Sequence, residues 1–175
     1  MSLKLKLELA NNDDIKELCD LVNAAYRGKL GWTKETEIID GNRTTDHEIR
    51  SLISSPNTYL FIARENNKII SCICIEKNDH QAYIGLLAVN PAYQNKGLGK
   101  HILNLAESYA VNHLKISEFM MAVISQRKEL IAFYERRGYK RTGNIEAYPI
   151  HLNVGTPRID NLTIEYLKKH VVIPE

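Results

Sequence analysis

The strongest constraint on this chain is a short glycine-rich, cationic segment, Gln94-Asn95-Lys96-Gly97-Leu98-Gly99-Lys100, set between two apolar patterns of different period. Ahead of it runs YIGLLAV (Tyr83 to Val89), near-continuously apolar, as a strand buried on both faces would be. Behind it, Leu98, Ile102, Leu105, Ala106 and Tyr109 recur at helical spacing. The unit predicted is a strand, a glycine elbow and a helix. Such a turn leaves the first backbone N–H groups of the helix without helical partners and aims them at one spot, where the helix dipole also favours negative charge. Phosphate is the natural guest, with Lys96 and Lys100 adding charge at the rim. A turn of this kind without any ligand is the plain alternative.

The two commonest phosphate-binding patterns fail on residues. A dinucleotide fingerprint GxGxxG needs a third glycine at position 102, which is Ile102. A P-loop ending at Gly99-Lys100 needs glycine at position 94 and Ser or Thr at position 101, where the chain has Gln94 and His101.

The rest of the chain predicts a mixed α/β fold. Residues 3 to 9 (LKLKLEL) alternate as a strand does, and Ile15, Leu18, Val22 and Tyr26 mark a helix with Asn11 or Asn12 as its N-cap and Gly28 near its end. Residues 28 to 46 show no period and read as a long loop before a short helix over 47 to 54. Two β-rich runs, 58 to 65 and 68 to 77, flank Asn66-Asn67 as a hairpin. EFMMAVI (118 to 124) reads as a buried strand, with Ser125 capping a helix whose inner face carries Leu130, Phe133, Tyr134 and Arg137, and Gly138 ending it. A C-terminal β-arm follows, with strand-like segments at 139 to 141 and 161 to 167.

VNPAYQNKGLGKHIL closely resembles the acetyl-CoA-binding motif of the GCN5-related N-acetyltransferases (GNAT), whose signature is (Gln/Arg)-x-x-Gly-x-(Gly/Ala); Gln94, Gly97 and Gly99 match it. AVISQRKELIAFYERRGYKRTG (122 to 143) is similar to the family's next block: a strand, a short helix carrying a tyrosine, and a Gly-Tyr pair. The element order agrees over nearly the whole chain. The resemblance implies a single domain over residues 1–175, with a mixed, mostly antiparallel sheet of about six or seven strands flanked by helices.

It also implies direct transfer of an acetyl group from acetyl-CoA to a primary amine in a ternary complex, with no metal. The backbone of Gln94, Asn95, Lys96, Gly97, Leu98, Gly99 and Lys100 would hold the coenzyme pyrophosphate. Leu87, Ala88 and Val89 would run beside the pantetheine arm, and a main-chain N–H there would polarise the thioester carbonyl, a contribution of about 3 kcal/mol. Tyr134 would protonate the departing thiolate as general acid; on pattern alone it is an inward core aromatic. A common family pattern has Asn seven residues before the tyrosine, and here Arg127 stands there, in an Arg-x-x-Leu-x-x-x-Tyr-Glu arrangement. A phosphate contact then falls to Arg127, Arg136 or Arg137, each of which reads equally as a solvated helix-face arginine.

No general base is advertised. Glu76, Asp79 and His80 lie upstream of Tyr83, and a water chain ending on one of them, or no dedicated base, serves equally. Specificity for the amine falls to the loop 28 to 46 and the arm 144 to 158, with Trp32, Arg43 and Tyr148 as lining residues. Arg43 suits a substrate carboxylate, although pinning the loop is its simpler role. A non-catalytic acyl-CoA-binding module and a longer acyl donor are the alternative readings.

Composition limits the remaining classes. A formal net charge of +2 on 175 residues gives no reason to expect nucleic-acid binding. No apolar run approaches the roughly 18 residues that span a bilayer, and the first residues lack a signal-peptide apolar block. A cytoplasmic protein is expected, with an exposed C-terminal arm that leaves room for a homodimer. The spacing of Cys72 and Cys74 puts both on one strand face as reduced core residues.

Overall fold

A computed structural model describes residues 4–28, 35–149, 152 and 155–175. Seven strands form one sheet in the order β1-β3-β4-β5-β6-β9-β7. They are β1 (Glu8–Leu9), β3 (Thr58–Glu65), β4 (Lys68–Asn78), β5 (Gln81–Val89), β6 (Glu118–Ile124), β7 (Lys140–Ala147) and β9 (Thr163–His170). Every neighbouring pair is antiparallel except β5 and β6. β2 (Ile39–Asp40) and β8 (Thr156–Pro157) pair separately as a two-stranded ladder. The fold is therefore the mixed, mostly antiparallel one expected.

Two helices cover each face. On one side α1 (Ile15–Arg27) and α2 (Asp46–Ser54) press Leu18, Val22 and Ile49 onto Leu60, Ile62, Cys72 and Cys74. On the other, α3 (Leu98–Leu114) and α4 (Lys128–Glu135) press Ile102, Leu103, Ala106 and Ile131 onto Phe61, Ile73, Ile84 and Phe119. Alternation along β4 sends Ile73 and Ile75 to one core and Cys72 and Cys74 to the other. Burial pushes the Cys72 thiol up to about 12 and raises that of Cys74 as well.

Local signals explain most boundaries. Asn11 accepts from the Asp13 amide at 2.9 Å and donates its own amide to Asp14, capping a single 3-10 turn that runs into α1. Thr45 accepts from the Glu48 amide at 3.1 Å and starts α2. Asn66 and Asn67 both take positive φ, as a tight two-residue hairpin turn demands.

Four expectations change. The N-terminal strand shrinks to Glu8–Leu9, because the β3–β4 ladder is irregular at Ala63/Arg64, where Lys6 would continue the pairing. Leu5 and Leu7 still pack on the core. β5 is not buried on both faces: its pattern alternates, with Leu87 and Val89 only partly covered, because they border a cleft. Ser125 does not cap α4, which starts at Lys128; its amide donates to the Thr163 carbonyl at 2.9 Å and its hydroxyl accepts from Thr163 at 2.7 Å. In the arm, β7 extends to Ala147 and β9 runs from Thr163 to His170, and β7 is exposed along the sheet edge.

Candidate functional site

The site begins where the sheet comes apart. Parallel pairing of β5 with β6 covers only Gln81 with Glu118, Ala82 with Phe119 and Tyr83 with Met120. The β4–β5 register shifts opposite Cys72 and Cys74, and Leu86 takes φ 51, so β5 bends away from β6. Past Tyr83, no described strand pairs with β5 on that side. A wedge with a hydrogen-bonding strand edge for a wall results. The carbonyls here are partly occupied, the Leu87 carbonyl accepting from the Tyr26 hydroxyl of α1 at 3.1 Å.

The glycine elbow closes one end of the wedge. Asn90 accepts from the Ala92 amide and caps a 3-10 turn over Pro91–Tyr93, and Gln94 Nε2 donates to the Val89 carbonyl at 3.0 Å, tying loop to strand. Gly97 has φ 74 and begins α3 with no side-chain cap. This left-handed conformation is one that a side chain resists. The first helical bond is from the His101 amide to the Gly97 carbonyl at 3.1 Å, so the amides of Leu98, Gly99 and Lys100 have no helical acceptor.

The loop, the end of β5 and α4 enclose a cleft of about 270 Å³. Every residue named from sequence for the coenzyme lines it except Lys96, whose ammonium lies 5.6 Å from the Tyr93 ring centroid. Arg136 and Arg137 border the same cleft. The Arg137 guanidinium stacks 4.1 Å over Phe133, and its buried Nε has no hydrogen-bond partner among the described residues.

Tyr134 forms the inner wall. α4 aims it inward in edge-on contact with Phe133 and Tyr139, at centroid separations of 5.2 and 5.9 Å. Burial, reinforced by Tyr26 and opposed by Arg127, raises its hydroxyl above the usual tyrosine value. Burial likewise pushes Tyr26 up to about 12. Both phenols therefore carry their protons at neutral pH.

Arg127 sits beside them at 7% exposure. Its guanidinium is engaged by Glu35, itself only 3% exposed, and Arg27 Nε reaches the same carboxylate at 2.8 Å. Arg27 also donates to the Gly41 carbonyl at 3.0 Å and to the Tyr148 hydroxyl at 3.3 Å. One buried carboxylate thus links the end of α1, the start of α4 and, through Arg27, the C-terminal arm. Arg127 Nε remains buried without a hydrogen-bond partner among the described residues.

A second cavity of about 640 Å³ lies beyond Tyr134. The two share Tyr26, Leu87, Arg127, Leu130 and Tyr134. The loop and the arm singled out for specificity meet here: β2 pairs with β8, the Arg158 amide donates to the Ile38 carbonyl at 2.7 Å, and Arg43 and Tyr148 line the cavity. Trp32 lies outside the described residues. Glu76 also lines this cavity, whereas Asp79 and His80, 3.5 Å apart, are exposed at a hairpin turn and border neither cavity.

Sequence reasoning missed Tyr26, Arg27 and Glu35. Tyr26 falls on the inward stripe of α1, where a polar tip could have been flagged; Glu35 sits in a polar stretch that carries no signal at all. Among the described residues no His, Cys, Asp or Glu cluster could hold a metal ion, and no helix is long and apolar enough to cross a membrane.

Comparisons with known proteins agree with this geometry. A family model described as "Acetyltransferase (GNAT) family" matches residues 15–139. The UPF0157 protein YqkA of Bacillus subtilis (strain 168) is 27% identical over 119 residues, 66% of this chain and 33% of that protein. The chain thus spans about a third of the length of this curated relative. Among solved structures, the ribosomal-protein-S18-alanine N-acetyltransferase from Escherichia coli superposes with a TM-score of 0.72 at 15% identity, over 98% of this chain and 96% of that one. A spermidine N-acetyltransferase from Vibrio cholerae, in complex with CoA and spermine, gives 0.71 at 16% identity over 95% of each.

Proposed function

The chain belongs to the GNAT acetyltransferase family, and on that premise we propose that it moves an acetyl group from acetyl-CoA to a primary amine by direct attack in a ternary complex. The observation that carries this reading is the meeting of two cavities at Tyr134 and the unpaired edge of β5. One cavity suits the coenzyme, the other the amine.

The residues present fit coenzyme A. The free amides of Leu98, Gly99 and Lys100, with Arg136 and Arg137 close by, supply donors and positive charge for its pyrophosphate. The open edge at Leu87–Val89 can pair with the amides of the pantetheine arm as a further strand would. The bound thioester supplies the acetyl group. A main-chain N–H of that edge stabilises the charge developing on the thioester oxygen, worth about 3 kcal/mol.

The amine nitrogen attacks the carbonyl carbon, the C–S bond breaks, and Tyr134 gives its proton to the departing sulfur. Its hydroxyl carries its proton over the working range, as a donor must. The ammonium gives up one proton through the second cavity before attack, where Glu76 is a lining carboxylate, and the nitrogen gives up a second as the intermediate collapses, which restores the proton of Tyr134. Arg127, held by Glu35, fixes the wall shared by the two substrates.

Calorimetric titration with CoA, followed by thiol release from acetyl-CoA with a panel of amines, tests the reading. Saturable CoA binding and amine-dependent thiol release are expected. Binding of ATP or NAD without binding of CoA overturns it, and CoA binding with no release from any amine leaves only a binding module.

A further inference from the structure

The acceptor cavity carries its charge unevenly. At its junction with the coenzyme cleft, three guanidiniums, of Arg27, Arg43 and Arg127, meet two carboxylates, of Glu35 and Glu48. Glu35 is engaged by Arg27 and Arg127 together. Glu48 lies 3.8 Å from Arg43 Nη1, beyond hydrogen-bond range, and accepts instead from the Thr44 hydroxyl at 3.1 Å. Two guanidinium nitrogens here, Arg43 Nη1 and Arg127 Nε, are buried with no hydrogen-bond partner among the described residues, the carboxylates of Glu48 and Glu129 standing 3.8 and 4.0 Å from them, outside hydrogen-bond range. Buried donors of this kind are costly to leave unmade. Both belong to planar forks suited to a carboxylate.

Arg43 is held in place for this role. Its guanidinium carbon lies 5.4 Å from the Tyr26 ring centroid, and its amide donates to Asn23 Oδ1 at 2.8 Å. Because Tyr26 bonds the Leu87 carbonyl, Arg43 belongs to the Leu87 end of the cavity. The remaining lining carboxylates lie elsewhere. Glu76 is paired in register with Tyr83, about 13 Å back along β5 at ~3.3 Å per residue. Glu146, which accepts from the Tyr166 hydroxyl at 2.9 Å, comes from β7. The cavity is cationic beside Tyr134 and acidic away from it.

Resting on the transferase reading, we infer that the acceptor is an α-amino acid or a close analogue, an amine whose carboxylate lies one carbon from the reacting nitrogen. A substrate carboxylate hydrogen-bonded to Arg43 Nη1 and Arg127 Nε leaves the reacting amine nitrogen at the junction that Tyr134 and Leu87 line. The side chain then extends along Tyr83 toward Glu76 and Glu146, which favour a polar or cationic end. Amines without an acidic group leave the Arg43 fork unmet.

The test compares L-amino acids with their carboxamides and their decarboxylated amines as acceptors, using acetyl-CoA and the whole chain. The amino acids should exceed both partners in kcat/KM by roughly tenfold to a hundredfold. That ratio should collapse in Arg43→Gln and fall part-way in Arg43→Lys, which keeps charge but not the fork. Equal use of carboxamides, or an Arg43→Gln variant that lowers all acceptors alike, overturns the inference while leaving a transferase. Calorimetry of L-amino acids and carboxamides against CoA-saturated protein separates the two readings. Saturable binding of the acid alone, abolished by Arg43→Gln, with no acetyl transfer to any amine, keeps the ligand class and removes the transferase. Absence of both transfer and binding overturns both.

Discussion

The Tyr26 hydroxyl donates to the Leu87 carbonyl at 3.1 Å, across 61 residues of chain. It fixes α1 to the end of β5, past Tyr83, where no described strand pairs on the β6 side, and its ring carries the Arg43 guanidinium. Tyr26→Phe keeps the ring and strands a part-buried carbonyl. The expected cost is about 1–2 kcal/mol, readable as a Tm lowered by ~2–6 °C, with a raised KM for acetyl-CoA because the strand edge loses its anchor. An unchanged Tm and KM would show that the bond holds nothing in place.

Tyr134→Phe separates binding from chemistry. It removes one oxygen from an inward-packed ring, so CoA affinity should change by less than about threefold while kcat falls by at least ~10²-fold. The pH dependence follows from the sign of its shift. A group that must be protonated loses function as pH rises through its pKa, and burial raises that of Tyr134 above the ordinary value of about 10. The rate should therefore hold without an alkaline limb up to about pH 10. A limb near pH 8 would point to another acid.

The unit from β5 through α4 was legible in the sequence because it is built from local patterns: a strand, an elbow that needs glycine at Gly97, an amphipathic helix, and a second strand and helix. What stayed hidden is long-range. Glu35 meets Arg127 across 92 residues, and neither neighbourhood advertises the other. Ser125 looks like a cap, yet the β6–β9 ladder claims it through Thr163 first. Continuous apolar character along β5 suggests burial on both faces, but Leu87 and Val89 border the first cleft and Tyr83 and Gly85 the second cavity.

The two loop glycines should respond differently. Gly97 has φ 74 with nothing within 4 Å of an added Cβ, so Gly97→Ala is opposed by conformation alone, at about 1–2 kcal/mol. Relief by turning the backbone would swing the free amides away, and CoA affinity should fall at least as much as stability. Gly99 lies inside α3, and an added Cβ would stand 3.7 Å from Val89 and 3.8 Å from Phe133, which is ordinary contact. Gly99→Ala should be neutral or stabilising by up to ~1 kcal/mol. Thermal melts and CoA titrations of both variants check the contrast.

Glu35→Ala should be the most damaging of the site substitutions to stability. It leaves Arg27 and Arg127 facing one another in a buried space with no carboxylate between them. Removing one partner of a buried pair costs about 3–5 kcal/mol. Urea unfolding should show the loss. Arg127→Met in the same background, which takes away one of the two facing like charges, should recover part of it, whereas additive losses would mean that the two residues act separately.

Gly155 shows how closely the C-terminal arm is fitted against β2 and Arg27. Its φ is 115, and an added Cβ would lie 2.5 Å from Ile39 Cγ2 and 2.8 Å from the Asp40 carbonyl oxygen, with Arg27 Nη1 closer still. All three neighbours are constrained: Ile39 is fully buried, Asp40 is in the β2–β8 ladder, and Arg27 is held by Glu35. None can yield without the arm lifting from β2. Gly155→Ala should therefore cost about 2–4 kcal/mol. Its functional signature should be one-sided. The arm carries Tyr148, which accepts from Arg27 at 3.3 Å, and the three atoms nearest the added Cβ belong to Arg27, Ile39 and Asp40, none of them in Gln94 to Lys100 or α4. The KM for the amine should rise several-fold with CoA affinity held, and steady-state kinetics with each substrate varied in turn checks it. Equal losses for both substrates would mean that the arm supports the whole fold.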